Sequence, residues 1–477
     1  MLADDSTLRL GLFSIGLDTY WDQFPGLRDR LLGYHARVRE RLAGFGTRVT
    51  DAGLVDSPEK ALEAAELFRS ERVDMVFLFI TTYALSSTVL PVVRAVKAPV
   101  VILNLQPVAQ LDYGAFNRLQ DRGTMTGVWL EHCQACCLPE IASVLGRAGI
   151  GYHLVSGFLE DAEAWDETGA WVEAARVMRA MQRNRVGVLG NYYGGMLDVY
   201  SDLTQQSALF GSHFEVLEMS ELQKHWCDVT GPEIQAELGR FGSTFDVAPQ
   251  CEAAELERAA HTSCALRRLV DRHRLGALAY YYEGTPGDAM QNLITSIIPG
   301  ATLLTGAHVP VAGEYEVKNV QAMKIMDLFG AGGSFAEFYL ADFKDDVLFL
   351  GHDGPAHFSI AEGRVGLVPL PVFHGKPGKG LSIQMTVRHG PATLLAVAQG
   401  RGGEVSLVCA ECESVPGPVL GIGNTNSRYG FPAGVRAFMN RWSEAGPAHH
   451  CAIGVGHLAS RIAKLAVLLD CPFKQIN

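Results

Sequence analysis

The fold of the first third of the chain is decided by residues 73–105, VDMVFLFITTYALSSTVLPVVRAVKAPVVILNL. Two apolar runs, VDMVFLFI (73–80) and APVVILNL (98–105), enclose the segment LPVVRAV, which can form a helix. Apolar runs of this length are typical of strands that are buried on both faces, as in parallel sheets. The strand–helix–strand order therefore predicts a parallel α/β unit.

The segments on either side of this stretch extend the same pattern. LRLGLFSI (8–15) predicts a first strand, and residues 27–43 have the spacing of a helix. Residues 161–183 predict a linking helix, after which VGVLG and LGALAYYYEG (275–284) predict the strands of a second α/β unit. Two doubly wound parallel-sheet domains are therefore expected, at residues 1–175 and 176–310.

The pattern changes at about residue 340. Short apolar runs with few intervening helices follow one another: DVLFLGH, GLVPLPVF, LSIQMTVRH, ATLLAVAQG and EVSLVCAEC. Such runs predict a β-rich, mostly antiparallel C-terminal domain over residues 311–477, as a sheet or a barrel. A helix-rich tail that contains residues 446–466 is expected to close the chain. The predicted fold class is α/β.

Composition narrows the class of protein. The chain has 477 residues, of which 48% are apolar and 19% charged, and its net charge is −12. No block of Lys or Arg stands out, so we expect no nucleic-acid partner. The first residues carry acids where a signal peptide needs bases, and the uncharged stretch 75–93 is interrupted by Thr, Ser and Pro. We therefore expect a cytoplasmic enzyme of small molecules with no membrane partner.

Four of the ten cysteines, in two pairs, invite a metal interpretation. Cys133/Cys136 and Cys409/Cys412 have CxxC spacing. The two pairs together could form a structural zinc site, but they lie far apart in the sequence, unlike the ligands of a compact zinc ribbon. Small buried thiols in a reducing compartment are the other interpretation, which the wide separation favours.

The strongest chemical signal lies in the stretch from Gly313 to His352. Glu314 stands at the start of a predicted helix, and Glu337 follows the glycine break after it. His352 follows an apolar run, and the pair His449–His450 offers a further imidazole. Adjacent residues seldom point the same way, so one of this pair is expected to be a ligand and the other to contact substrate or to pack. Two carboxylates and two imidazoles suit Mn²⁺, Co²⁺, Mg²⁺ or Fe²⁺ better than a closed structural zinc.

Candidate substrate contacts follow several of the predicted strands. Ligands of parallel α/β sheets bind beyond the carboxyl ends of strands, where polar and aromatic side chains of this chain collect. A structural role, as a packed ring or a satisfied histidine, is the alternative for each. The candidates are Asp18, Tyr20, Tyr83, Glu131, His132, Met196, Tyr282 and His449.

Four motifs, in their order and spacing, resemble the L-arabinose isomerase family of the wider L-fucose/L-arabinose isomerase superfamily. These motifs are GEYEVK around Glu314, GGSFAEFY around Glu337, LGHDGPAH around His352 and GPAHHCAIGVGH around His450. GLDTYWDQF, LGNYYGGM and LAYYYEG are similar to a lesser degree. The likeness extends over nearly the whole chain.

The resemblance implies a function as well as a fold. It implies a Mn²⁺-type ion held by Glu314, Glu337, His352 and His450, and an aldose–ketose interconversion through a cis-enediol in which the two glutamates move the protons. The expected substrate is an aldopentose or deoxyhexose, an L-arabinose-like sugar. The resemblance also implies a homotrimer or homohexamer with shared active sites.

Departures from the family pattern leave alternatives open. Glu316 could compete with Glu314 as a ligand, and either His449 or His450 could bind the metal. The segment 128–140, which family members use for substrate binding, partly across a subunit boundary, has Glu131, His132, Gln134 and three cysteines in place of the usual Gly-rich form. The sugar is therefore not defined. An epimerase or lyase with the same metal site, and a non-catalytic sugar-binding protein, are the rival hypotheses.

Overall fold

The structure is a computed structural model that describes residues 7–285, 287–371 and 379–477. The chain forms two compact units, Met1–Arg179 and Ala180–Asn477. Within the described ranges, no helix combines the length and the apolar character needed to cross a membrane.

The first unit contains a parallel sheet with the strand order β2-β1-β3-β4-β5. Its strands are β1 (Arg9–Ile15), β2 (Arg48–Val55), β3 (Met75–Ile80), β4 (Val100–Gln106) and β5 (His153–Phe158). Its helices are α1 (Leu27–Gly44), α2 (Pro58–Glu71), α3 (Leu90–Val96), α4 (Tyr113–Asn117), α5 (Arg122–Glu131), α6 (Gln134–Arg147) and α7 (Ala162–Gln182), the last of which ends in the second unit. Short 3₁₀ turns lie at Asp18–Tyr20 and Ser86–Thr88.

The apolar runs of the sequence form the centre of this sheet. All six residues of β3 are buried, as are the first six of β4. The strand order reverses between β1 and β3, and ligands of doubly wound sheets bind at such a reversal. Asp18 and Tyr20 follow β1, and Tyr83 follows β3, so these three candidates flank that point.

The second unit contains three sheets. Its strands are β6 (Arg185–Gly190), β7 (His213–Leu217), β8 (Phe245–Val247), β9 (Ala277–Tyr281), β10 (Val311–Ala312), β11 (Gly332–Asp342), β12 (Val347–His352), β13 (Val365–Leu370), β14 (Gly380–Gln384), β15 (Gly390–Gln399), β16 (Val405–Val415), β17 (Thr425–Gly430), β18 (His450–Val455) and β19 (Phe473–Ile476). Its helices are α8 (Leu203–Phe210), α9 (Met219–Cys227), α10 (Gly231–Thr244), α11 (Ala253–His273), α12 (Ala289–Ile294), α13 (Ile298–Gly306), α14 (Val317–Leu328), α15 (Val435–Glu444) and α16 (Ala459–Leu468), with 3₁₀ turns at Leu197–Val199 and Phe358–Ile360.

The largest sheet of this unit closes on itself. The strands follow one another in the order β15-β18-β11-β12-β17-β16, and β16 pairs with β15 to complete an antiparallel barrel. β19 adds to β16 in parallel. The other two sheets are parallel β10-β9-β6-β7 and mixed β14-β13-β8. The predicted fold class, two parallel-sheet α/β parts and a mostly antiparallel β-rich part, is confirmed. The predicted boundaries at residues 175 and 310 stay predictions.

Helix α14 lies between two of these sheets. It packs against β9 and β10 on one side and against β11, β15 and β18 on the other. The helix is buried on every face, with only its last residue partly exposed. A glycine break ends it: a Cβ on Gly333, which has φ of 100°, would lie 2.6 Å from the carbonyl oxygen of Met323. Only glycine therefore lets β11 start so close to the helix.

The prediction of a helix-rich tail over residues 446–466 is wrong in its first half. His450–Val455 forms strand β18, between β15 and β11, and the helix begins at Ala459. The run CAIGV is short and fully apolar, and periodicity alone does not separate a buried strand from a buried helix segment of that length. Pairing on both sides satisfies the backbone of this run as a strand.

Candidate metal centre

Glu314 is held in an unusual backbone conformation. Glu314 and Tyr315 have φ of 58° and 60°, the left-handed region that residues with a side chain rarely adopt. The Tyr315 amide donates to the carbonyl of Tyr280 at the end of β9 (3.0 Å), and the Tyr315 ring packs on Tyr192 with centroids 4.6 Å apart. These contacts fix the turn, and strain of this kind collects at functional sites.

The barrel strands bring the other candidate ligands together. On β11, Glu337 is the register partner of His450 on β18 and of Gly351 on β12. Directly opposed side chains of antiparallel strands lie close together. His352 follows Gly351, and the Phe335 ring packs on both imidazoles, with centroids 4.4 Å from each.

Two overlapping groups of side chains could hold a metal ion, within the residues that the structure describes. One consists of Glu314, His449 and His450, and the other of Glu337, His352 and His450. In each group the ligand atoms lie within 4.8 Å of one another. His450 Nε2 is 3.4 Å from Glu314 Oε2, and His352 Nε2 is 3.8 Å from Glu314 Oε1. All four predicted ligands therefore belong to one cluster.

The unsatisfied atoms of this cluster fit a cation. His450 Nε2 and Glu314 Oε2 are buried and have no hydrogen-bond partner. Buried polar atoms without a partner are costly, and a bound ion is one of the groups that can satisfy them. Carboxylate oxygens and imidazole nitrogens together suit a divalent ion of the Mn²⁺, Co²⁺ or Fe²⁺ type.

Glu316 occupies a different place from Glu314. Its carboxylate is fully buried, accepts from His450 Nδ1 through Oε2 (2.9 Å), and faces Lys318 Nζ through Oε1 (3.2 Å). It belongs to neither group of possible ligands among the described residues. Glu316 thus lies behind His450, on the side away from Glu314.

His449 is anchored from a loop of the same unit. Asp198 accepts from the His449 backbone amide (3.0 Å) and pairs with its Nδ1 (2.6 Å). His449 Nε2 then lies between the two glutamates, 3.6 Å from Glu314 Oε2 and 3.9 Å from Glu337 Oε2. Burial works to lower the pKa of His449, but Glu314 and Asp198 outweigh it and raise that pKa to about 9.

The two glutamates have opposite electrostatic environments. Burial acts to raise the pKa of Glu314, but the neighbouring His449, His450 and His352 imidazoles outweigh it and lower the pKa to about 2. Burial raises the pKa of Glu337, against the charges of His352 and His449. Burial also lowers the pKa of His352, as does the charge of His450. Carboxylates whose pKa values are moved apart are suited to act as acid and base.

The candidate substrate contacts of the second unit differ in how close they lie to the candidate metal centre. His449 lies in it, as described above. The Tyr282 hydroxyl donates to Asp288 Oδ2 (2.6 Å), and Met196 lies half-buried in the loop that also carries Asp198. The neighbouring Tyr281 and Tyr193 rings stack with centroids 4.8 Å apart. Burial raises the pKa of both hydroxyls, and the charge of Glu314 raises it further. The rings of Tyr193 and Tyr281 therefore lie near Glu314, at the carboxyl end of β9.

The candidates of the first unit form their own cluster. Tyr20 and Tyr83 pack with Leu130 around one small apolar core. Glu131 accepts from Arg30 Nε (2.6 Å), and His132 Nδ1 lies 3.0 Å from the carbonyl oxygen of Val128. Asp18 is exposed in the turn after β1. The structure thus gathers this set at one edge of its sheet, and their contact with substrate stays a prediction.

Within the described residues, the cysteines of the two CxxC pairs are not arranged as metal ligands. Cys409 and Cys412 are buried in β16, Cys133 is buried and Cys136 is exposed, and all four are free thiols. No group of possible metal ligands in the described ranges includes a cysteine. Burial raises the pKa of Cys133 to about 11, so its thiol stays protonated at neutral pH.

Sequence comparison agrees with the motifs. No family model matches the chain. The chain is similar to L-arabinose isomerase of Nocardioides sp. (strain ATCC BAA-499 / JS614), with 25% identity over 344 residues. The matched region covers 67% of this chain and 66% of that enzyme, just under two thirds of its length. This similarity confirms the resemblance to the L-arabinose isomerase family that the four motifs suggest.

The apo-structure of D-lactate dehydrogenase from Escherichia coli matches 68% of this chain and 95% of its own, with 9% identity and a TM-score of 0.16. A TM-score this low carries no argument about fold or function.

Asp198 is the site residue that the sequence motifs missed. It lies in the 3₁₀ turn Leu197–Val199, far from the four motifs, and it reaches the site only because the chain folds back on His449. The one available signal was an acid in the Gly-rich loop that follows β6, since polar groups in such loops face ligands.

Proposed function

We propose that this protein is a metal-dependent aldose–ketose isomerase that acts on an aldopentose or deoxyhexose, an L-arabinose-like sugar, through a cis-enediol. One observation carries the proposal: two carboxylates and two imidazoles, Glu314, Glu337, His352 and His450, form a single cluster with unsatisfied atoms. The similarity to an L-arabinose isomerase supports the same reaction.

The chain's own residues can supply the proton transfers. Isomerisation removes a proton from the carbon next to a carbonyl and returns it to the neighbouring carbon, with a second proton moving between the oxygens. Glu314, whose low pKa keeps it ionised, has a free acceptor oxygen, and Glu337, whose pKa burial raises, can carry a proton. His449 lies between them within reach of both. A divalent ion held by the four ligands would supply positive charge for the enediolate oxygens.

The same proposal includes a metal cofactor, a cellular location and an oligomeric state. Mn²⁺ is the proposed metal, with Co²⁺, Mg²⁺ or Fe²⁺ as substitutes. We further propose a cytoplasmic homotrimer or homohexamer in which subunits share active sites, and the first-unit residues Tyr20, Tyr83, Glu131 and His132 as sugar contacts. Sedimentation at working concentration should give a trimer or hexamer, and a monomer would argue against shared sites.

The test of the proposal is Glu337→Gln. The amide cannot carry a proton between C1 and C2, so turnover of the sugar should fall about 10²–10⁴-fold, the usual contribution of an acid–base group. Glu237→Gln is the matched control. Glu237 is a buried carboxylate of the same unit that accepts from Ser263 Oγ and pairs with Arg267, outside both ligand groups.

The control variant should keep its activity within a few-fold, and both variants should keep the wild-type circular dichroism spectrum. Unchanged aldose–ketose conversion by folded Glu337→Gln would disprove the proposed catalytic role.

A further inference from the structure

Three buried side chains that contact one another in sequence lie next to the candidate metal centre. His450 and Glu316 have fully buried side chains, and that of Lys318 is 4% exposed. His450 Nδ1 is bonded to Glu316 Oε2 (2.9 Å), and Glu316 Oε1 faces Lys318 Nζ (3.2 Å). Lys318 Nζ also donates to the carbonyl oxygens of Asp198 (2.8 Å) and Tyr200 (3.1 Å).

This arrangement defines which nitrogen of His450 carries its proton. An ionised carboxylate can only accept hydrogen bonds, so Nδ1 must donate to Glu316. In the neutral imidazole the lone pair then lies on Nε2, the buried atom that faces Glu314 without a hydrogen-bond partner. A lone pair directed into the site is what a metal ligand requires.

We propose that Glu316 is a positioning residue, which Lys318 holds in place and which directs the lone pair of His450 Nε2 towards the metal position. This inference rests on the proposed metal site and assigns Glu316 a role other than that of a competing ligand. Carboxylates bonded to ligating histidines usually contribute 10–100-fold to metal affinity, which is roughly the effect expected here.

Lys318 determines how the amide of Glu316→Gln is oriented. An ammonium only donates, so it selects the oxygen of the new amide and turns the amide NH₂ towards His450 Nδ1. Nδ1 must then accept, which places the imidazole proton on Nε2, in the metal position. Removal of the ammonium in Lys318→Met leaves the amide free to turn its oxygen back to His450. The loss caused by Glu316→Gln should therefore shrink in the Lys318→Met background.

The first measurement is Mn²⁺ affinity, by electron paramagnetic resonance titration of the full-length protein. We expect a roughly 10–100-fold weaker affinity in Glu316→Gln than in wild type, and a smaller ratio between Glu316→Gln/Lys318→Met and Lys318→Met. Glu316→Asp, which keeps the carboxylate, should lose less than Glu316→Gln. Glu237→Gln serves as the control for removal of a buried carboxylate and should bind Mn²⁺ as wild type does.

Equal affinities of wild type and Glu316→Gln would overturn the inference. An equal loss in both backgrounds would do the same, since it would mean that the carboxylate acts through its charge alone and not through orientation.

The second measurement needs no metal. Nitrogen-15 spectra of the metal-free protein, with labelled histidine and the His450 signals assigned from His450→Gln, report which nitrogen is protonated. Wild type should carry the proton on Nδ1, and Glu316→Gln should carry it on Nε2. A wild-type proton on Nε2 would refute the role of Glu316 even if Mn²⁺ binds. Absence of Mn²⁺ binding by wild type would instead refute the proposed function.

Discussion

His450 is the side chain that connects the two groups of possible ligands. It belongs to both, it is fully buried, and it is the partner of Glu337 in the register of β11 and β18. His449 belongs to one group, is more exposed and is tied to Asp198. At the residue scale, we therefore propose His450 as the ligand of the pair and His449 as the substrate contact.

This difference predicts separate effects for the two histidines. His450→Ala should abolish Mn²⁺ binding by the isolated protein, because it removes a ligand of both groups. His449→Ala should retain the metal and raise KM for the sugar. Metal content by mass spectrometry after dialysis, together with steady-state kinetics, separates the two outcomes. Retained metal in His450→Ala with loss in His449→Ala would reverse the assignment.

Residue types in the motifs pointed to the four candidate ligands, but the geometry of these residues could not be predicted from the sequence. The left-handed conformation of Glu314 depends on the contact of Tyr315 with β9, which is distant in the sequence. The position of Glu316 behind His450 depends on β18 lying beside helix α14. Contacts between elements set both features, and residue spacing does not encode them.

At the scale of the element, α14 shows how a polar helix can be buried. The helix that the sequence predicts after Glu314 forms over Val317–Leu328, and its apolar residues include Val317, Val320, Met323 and Met326. Its buried charges are paired, Lys324 with Asp327 and Lys318 with Glu316, each at 3.2 Å, whereas the amide of Gln321 lacks a hydrogen-bond partner. Buried charges of this kind need such partners to be tolerated.

Asp327 at the end of α14 predicts a pH-dependent contribution to stability. Burial acts to raise its pKa, but His357, Lys324 and His308 outweigh it and lower the pKa to about 2. A carboxyl whose pKa is depressed on folding stabilises the fold above its unfolded pKa, near 4, and loses this contribution as pH falls through 2. The contribution at neutral pH should be about 2 kcal/mol.

Asp327→Asn should therefore lower Tm most at pH 7, and its difference from wild type should shrink as the pH falls below 4. Differential scanning fluorimetry from pH 7 to 3 measures this, with the exposed Asp271→Asn as the control. A difference in Tm that stays constant over this range would contradict the assigned role of the Asp327 charge.

At the scale of the whole molecule, composition and alternation of strands and helices were sufficient for the fold class. The parallel sheets and the antiparallel barrel match that expectation because central strands such as β3, β4 and β12 are apolar runs in the sequence. The sequence did not distinguish an open sheet from a barrel closed by the pairing of β15 with β16. The sequence of a strand does not show which strand it pairs with.

The identity of the sugar substrate also has to be considered at the scale of the whole molecule. The metal ligands lie in the second unit, whereas Tyr20, Tyr83, Glu131 and His132 lie in the first. The segment 128–140, which departs from the family pattern, carries two of these proposed sugar contacts, so the proposed isomerase should be tested on sugars other than L-arabinose.

The central claim, metal-dependent ketol isomerisation, is tested most directly by hydrogen exchange at C2 of the sugar. The metal-free protein is incubated in D₂O with L-arabinose and a panel of other aldopentoses and deoxyhexoses, with and without Mn²⁺, and the products are identified by NMR. The account predicts a ketose product and deuterium at C2 of the recovered aldose for at least one sugar, with Mn²⁺ only. Sugar binding that survives EDTA without exchange, or exchange that yields only the C2 epimer, would contradict it.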